Sequence, residues 1–178
     1  MSADNKVPVI GFAAWSGAGK TTLLRQLIPI LRNQGLCIGV IKHAHHTFDI
    51  DKPGKDSYEL RHAGAEQTLV ASANRWALVM ENEEPSEPVL QDMLAKLDQD
   101  KLDLILVEGF RHEVFPKIEI CRPSTGGSFL YPGDNSIIAI ASDEIPDVEG
   151  GIPVLDLNWP LEIARFICDY FGLEWLDQ

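Results

Sequence analysis

The 178-residue chain has no apolar stretch near the ~20 residues that a membrane span requires. Its opening, MSADNKVPVIGFAAW, has no basic segment leading into a long apolar run, so no signal peptide is expected. Cysteine is scarce: Cys37, Cys121 and Cys168 are far apart and form no CxxC pair. That argues against a disulfide framework or a Cys-rich zinc site, and a reducing compartment, the cytoplasm, is the simpler expectation. Basic residues are outnumbered, 15 against 27 acidic, for a net charge of -12. Nucleic-acid binding and a polybasic membrane face both rely on massed Lys and Arg, so neither fits. A local basic pocket for one small phosphate ligand stays compatible with that balance. Repeats, low-complexity tracts and a linker clean enough to divide domains are also missing, so residues 1–178 read as one domain. What is present is 45% hydrophobic and 24% charged, enough at this length to build a core without staples.

Val7 to Ala13 (VPVIGFA) is a short apolar run suited to a strand buried on both faces. A glycine-rich stretch follows. From Thr22 to Gln34, Leu23, Leu24, Leu27, Ile28 and Leu31 recur at helical spacing, with a bend expected at Pro29 and a stop at Gly35. Leu36 to Lys42 (LCIGVIK) is a second apolar strand. Strand, glycine loop, helix and strand make a βαβ unit and predict a mostly parallel α/β sheet. Asp56 with Glu59 forms a capping-box pattern for a short helix ending near Gly64. Two β-like runs at 66–73 and 75–81 predict an antiparallel hairpin. Further strands are expected at Leu102 to Val107, Ser136 to Ala141 and Ile152 to Leu155. Pro116 to Cys121 reads as an exposed strand and Pro123 to Asn135 as a mobile loop. A last helix begins at Pro160 and stops at Gly172.

The strongest local signal is Ala14-Trp15-Ser16-Gly17-Ala18-Gly19-Lys20-Thr21. It matches G-x-x-x-x-G-K-[ST] at Gly19, Lys20 and Thr21 and departs from it at Ala14. Small residues are needed because backbone N–H groups of Ser16, Gly17, Ala18 and Gly19 must curl around phosphate oxygens. Lys20 brings charge to the β- and γ-phosphates, the Thr21 hydroxyl suits Mg2+, and the helix adds its N-terminal dipole. If Ala14 had to adopt a left-handed backbone, the cost would be up to about 1 kcal/mol. Trp15 stands where some partitioning-type ATPases carry a second lysine, so a lysine reaching into a partner's site is not expected.

LDLILVEGF, from Leu102 to Phe110, ends a hydrophobic strand in Glu108 and then Gly109. A carboxylate at that sheet edge stands near Mg2+ or its waters, the Walker B arrangement. Asp49 and Asp51 lie in the loop after the second strand. Two readings stay open for them: ordering water or Mg2+ at the phosphates, or a solvated acidic loop. His43, His45 and His46 lack metal-ligand spacing and read as a polar loop. Asp143 follows the strand SIIAIA. A carboxylate there could accept the guanine N1–H and 2-amino protons, although no Asn-Lys-x-Asp motif is present. The alternative is a turn acid.

The runs AAWSGAGKTTLL, IKHAHHTFDIDKPGKDSYELRHAGA, RWAL, LDLILVEGFRHE and IAIASD resemble the molybdopterin-guanine dinucleotide biosynthesis protein B (MobB) family. The resemblance runs from about Val9 to Asp143 and includes the Ala14 departure. It implies a P-loop NTPase-type three-layer fold, a homodimer, and GTP binding with weak GTPase activity. The role would be that of an adaptor in molybdenum cofactor assembly. The implied partners are the molybdenum cofactor guanylyltransferase and molybdenum-insertion proteins. The phosphate role carries over to Gly17, Gly19, Lys20, Thr21 and Thr22, and the acidic role to Glu108. Lys55-Asp56-Ser57 matches the family motif without a nameable chemical role. The hairpin's Leu69, Val70, Trp76, Leu78 and Val79 then become candidates for a two-fold interface.

Slow hydrolysis fits the residues. No glutamine is placed to orient water, and no arginine finger is assignable, Arg111 being the nearest cation. The alternative is a P-loop small-molecule kinase using ATP. Against it, Pro123 to Asn135 contains no arginine to form a lid over phosphates.

Overall fold

The computed structural model describes residues 6–44 and 48–176. In chain order the elements are β1 (Val9–Ala13), α1 (Lys20–Asn33), β2 (Ile38–Lys42), α2 (Asp56–His62), β3 (Gln67–Ala71), β4 (Trp76–Met80), α3 (Leu90–Leu94), β5 (Leu104–Glu108), β6 (Lys117–Cys121), β7 (Ile137–Ser142), β8 (Val154–Asp156) and α4 (Pro160–Phe171). The chain packs as two units, one made of residues 6–43 with 89–176, the other within 44–88.

The larger unit is built on a six-stranded sheet in the order β2-β5-β1-β6-β7-β8, with every pairing parallel. Alternation along the strands supplies two cores, because successive side chains point to opposite faces. Ile10, Phe12, Leu104, Leu106, Ile118 and Ile120 face α1 and α4, whose Leu23, Leu27, Ile163 and Ile167 close the first core. Val9, Ile105 and Val107 turn the other way and pack with Leu90 and Leu94 of α3. The result is the expected three-layer α/β arrangement. α1 runs through Pro29 as one 14-residue helix. The chain leaves β1 toward one sheet edge, then returns to add β6, β7 and β8 on its other side. That reversal puts a crevice outside the carboxyl ends of the central strands, where ligands of open α/β sheets bind.

β6 corrects the sequence expectation. All five of its residues are buried between β1 and β7, not exposed. Lys117 and Glu119 alternate with isoleucines and mimic a half-solvated strand, but both charges are satisfied inside. Lys117 Nζ donates to the carbonyls of Arg111 (2.9 Å) and Glu113 (2.7 Å) and pairs with Asp134 at 2.6 Å. The Glu119 carboxylate accepts from the backbone N–H of Leu130 (2.8 Å) and Tyr131 (2.9 Å). The segment after β6, expected to be mobile, holds two 3-10 turns, at Pro123–Thr125 and Tyr131–Gly133, and Glu119 fastens its second half.

The smaller unit contains α2 and the predicted hairpin. β3 and β4 pair antiparallel with Leu69 opposite Leu78 and Ala71 opposite Trp76. Strand alternation puts Leu69, Leu78, Trp76 and Met80 on one face and Val70 and Val79 on the other. The five apolar residues named from sequence are therefore split between faces, and Met80 joins the first. The start of α2 also differs by one residue: Lys55 holds the N-cap position, and Glu59 reaches back to the Gly54 N–H at 3.1 Å.

Candidate nucleotide-binding site

Residues 14–19 link the buried end of β1 to α1. Gly17 and Gly19 have φ of 82° and 98°, the left-handed region that only glycine adopts freely. Among the described residues only Phe110 is a non-glycine with positive φ, so Ala14 carries no such strain. Gly19 caps α1, and its carbonyl accepts the Leu23 N–H at 2.9 Å. The first turn of α1 has no acidic side chain, which leaves its N-terminal dipole available to an anion. Ser16 lies in the exposed turn, and Thr22 opens onto a cleft described below.

Lys20 folds back across the loop, its Nζ donating to the carbonyls of Ala14 (3.2 Å) and Trp15 (3.4 Å). Burial pushes its pKa below the ordinary lysine value, with Glu108 opposing and Arg111 and Lys42 adding to the fall. Thr21 Oγ1 donates to Glu108 Oε1 at 2.8 Å, and Lys42 Nζ stands 3.4 Å from the same oxygen. A hydroxyl and a carboxylate 87 positions apart in sequence thus meet at the carboxyl edge of β1 and β5. Both are hard oxygen donors of the kind Mg2+ takes alongside phosphate and water, so the pair fits that ion. Gly109, with φ of 100°, follows Glu108, and a Cβ there would meet His43 Cβ at 2.7 Å. Close passage of His43 thus requires glycine at that position.

Trp15 is anchored outside the loop. Its Nε1 donates to Ser128 O at 2.7 Å, and the Arg111 guanidinium stands 5.4 Å from the ring centroid. Arg111 is thereby engaged with the loop's own aromatic. At the next strand ends, Arg122 bridges the loop to Asp143: its Nε donates to Ala18 O at 3.1 Å and Nη1 to Asp143 Oδ2. A cleft of about 160 Å3 lies beside it, lined by Gly19, Thr22, Gln26, Arg122, Leu157 and Asn158.

Asp49 and Asp51 belong to the smaller unit. Arg61 Nη2 donates to both, at 2.7 and 2.8 Å, and Nη1 donates to Glu81 at 3.0 Å. Hydrogen bonding from Arg61 holds the Asp51 carboxyl below the usual carboxylate range. Lys55 and Asp56 start α2, and Ser57 hydrogen-bonds toward Asp51. His45 and His46 lie outside the described residues. No cluster of three or more His, Cys, Asp or Glu suited to a metal occurs among the described residues. The sequence singles out Thr21 and Glu108 as a pair for the metal, but neither Arg61, nor Lys42 beside Glu108, nor Arg122 beside Asp143. Only the position of Lys42 at a strand's carboxyl end, beside the acid's strand, carried a signal.

The model of the family described as "MobB: Molybdopterin guanine dinucleotide synthesis protein B" matches residues 9–143. The chain belongs to the MobB family. The match includes the loop at 14–21, Glu108 and Asp143, and leaves β8 and α4 beyond its end. Among curated MobB-type relatives, the molybdopterin-guanine dinucleotide biosynthesis adapter protein of Escherichia coli K12 is 46% identical over 179 residues, covering 100% of this chain and 98% of that one. The protein of the same name from Haemophilus influenzae is 36% identical over 167 residues, covering 93% and 83%. Two solved MobB structures share the fold. The Bacillus subtilis protein has a TM-score of 0.71 at 22% identity, over 91% of this chain and 96% of that chain. The Bacillus stearothermophilus homologue has a TM-score of 0.68 at 22% identity, over 92% and 97%. The MobB fold is of P-loop NTPase type, as the parallel sheet and the glycine loop after β1 require. No described helix is long and apolar enough to cross a membrane.

Proposed function

We propose that the chain is a GTP-binding adapter in molybdopterin-guanine dinucleotide biosynthesis, hydrolysing GTP slowly with Mg2+. The observation that carries this reading is the Thr21–Glu108 contact at the mouth of the loop, 2.8 Å long and flanked by Lys20 and Lys42. The backbone N–H groups of residues 16–20 would hold the phosphates. Lys20 would exchange its two carbonyl partners for phosphate oxygens, and Thr21 with Glu108 would hold Mg2+. Mg2+, when bound, neutralises charge on the β- and γ-phosphate oxygens. Gly109 would present its N–H beside the terminal phosphate. Asp143 would read the guanine N1–H and 2-amino group, since it follows a strand whose carboxyl end faces the same crevice as the loop. Slow turnover follows from what surrounds the phosphate site. Arg111 is stacked on Trp15, and an arginine finger is worth about 10³–10⁵ in rate. Asp49 and Asp51 are carboxylates already shared with Arg61.

The adapter role rests on the names of the relatives, each called a molybdopterin-guanine dinucleotide biosynthesis adapter protein. Its partners would be the molybdenum cofactor guanylyltransferase and molybdenum-insertion proteins, and its working form a cytoplasmic homodimer. The hairpin supports the dimer: Leu69, Trp76, Leu78 and Met80 share one face and are 61%, 69%, 43% and 47% exposed.

Calorimetric titration with Mg-GTP and Mg-ATP tests the nucleotide reading. A preference for GTP of about tenfold or more, 1.4 kcal/mol, is expected. Asp143→Asn should shift preference from GTP toward XTP, whose 2-oxo group accepts where guanine's 2-amino group donates. Equal or tighter ATP binding would remove the guanine reading and bring ATP-dependent phosphotransfer forward.

A further inference from the structure

Arg122 is a charged side chain on the carboxyl edge that the proposed function leaves without a task. It follows β6 and reaches back over the start of α1, 3.7 Å from where a Cβ on Gly19 would lie. Its Nε holds the Ala18 carbonyl at 3.1 Å, its Nη1 holds Asp143 Oδ2, and it forms one wall of the cleft with Thr22, Gln26 and Asn158. Asp143 Oδ1 is buried and has no hydrogen-bond partner among the described residues. The carboxylate is thus half-used, and a guanidinium stands between it and the cleft beside the phosphate loop.

Guanine offers a carboxylate two donors side by side, N1–H and the 2-amino group. A guanidinium offers the same planar array of adjacent N–H donors. We propose that Arg122 is an internal competitor for the base: in the nucleotide-free protein it occupies Asp143, and a guanine nucleotide must displace it. This rests on the reading of Asp143 as the guanine-reading group. Asp143 Oδ1 supplies the second acceptor that guanine uses and that the present ion pair leaves open. Adenine carries an acceptor at N1 where guanine carries a donor. ATP gains nothing by moving Arg122 and binds with the ion pair intact. Arg122 therefore weakens GTP binding selectively and keeps the half-buried carboxylate compensated while the site is empty of nucleotide.

Calorimetry with Arg122→Met, Mg-GTP and Mg-ATP tests this. GTP should bind about tenfold tighter than to the parent protein, while ATP changes by less than about twofold. Unchanged or weaker GTP binding would overturn the inference, because Arg122 would then be ordering Asp143. Equal tightening of both nucleotides would overturn it too, by making Arg122 a steric obstacle alone. Should Arg122→Met not fold, Arg122→Lys keeps the charge without the planar donor array. It should raise the GTP-to-ATP preference about threefold, and an unchanged preference would count against the competitor. Asp143→Asn separates the two layers. If it leaves the base preference alone, the reading of Asp143 fails. If it alters the preference while both Arg122 variants do not, only the competitor fails.

Discussion

Lys20 sits in the phosphate loop with its ammonium on two carbonyl oxygens and its pKa depressed by burial. A polyphosphate would favour the charged form and lift that pKa, so binding takes up protons at alkaline pH. Affinity should therefore fall as pH rises through the depressed lysine value, starting below the ordinary 10.5. Lys20→Ala should weaken nucleotide binding by roughly 10–100-fold near neutral pH and remove that alkaline limb, as read by titration calorimetry across pH. Residues of this kind were legible because the loop's chemistry is local: Gly17, Gly19, Lys20 and Thr21 are neighbours in sequence. Glu108 was legible by a weaker rule, an acid ending a hydrophobic strand. Arg122 was not, since its contacts to Ala18 and Asp143 span 104 and 21 positions and no local pattern encodes them. Arg61 escaped for a similar reason, because its three acids are brought together only by the packing of the smaller unit.

β6 shows how an element can be misread when its polar residues have partners. The pattern Lys117-Ile118-Glu119-Ile120 obeys the rule for a strand with one wet face. The strand is central because both charges find tertiary partners, which period-two patterning cannot reveal. β1 and β5 were legible because unbroken apolar runs leave no such ambiguity. Glu119 holds the loop after β6 through two backbone N–H groups, and Glu119→Ala would strand both donors. We expect a loss of about 1–3 kcal/mol by chemical denaturation, with Glu119→Gln losing less because it keeps an acceptor. Burial raises the Glu119 pKa above its ordinary 4.5. The folded state thus holds a proton that the unfolded chain has released, and stability falls as pH rises through that window. Glu119→Gln should flatten the decline, visible in denaturation midpoints measured from pH 4.5 upward.

The molecule as a whole carries a net charge of -12 and an exposed apolar face on the β3–β4 hairpin. Two copies meeting through that face would bring like charges together while burying Leu69, Trp76, Leu78 and Met80. Self-association should therefore strengthen with added salt, which screens repulsion over about 10 Å at 0.1 M. Sedimentation should find a dimer for the parent chain. Leu78→Lys, opposite Leu69 in the hairpin register, should give a monomer of unchanged fold. A monomeric parent at every salt concentration would remove the hairpin's proposed role.

Trp15 gives the phosphate loop an optical reporter. Its indole N–H is bound to Ser128 O and its ring lies beside Arg111, so any change in the loop's backbone alters the polarity around one fluorophore. With Trp76, Trp159 and Trp175 replaced by Phe, emission from Trp15 should shift on adding Mg-GTP and return when the nucleotide is washed out. The same spectrum would report on Ser128, coupling light emission at the loop to the order of the segment after β6.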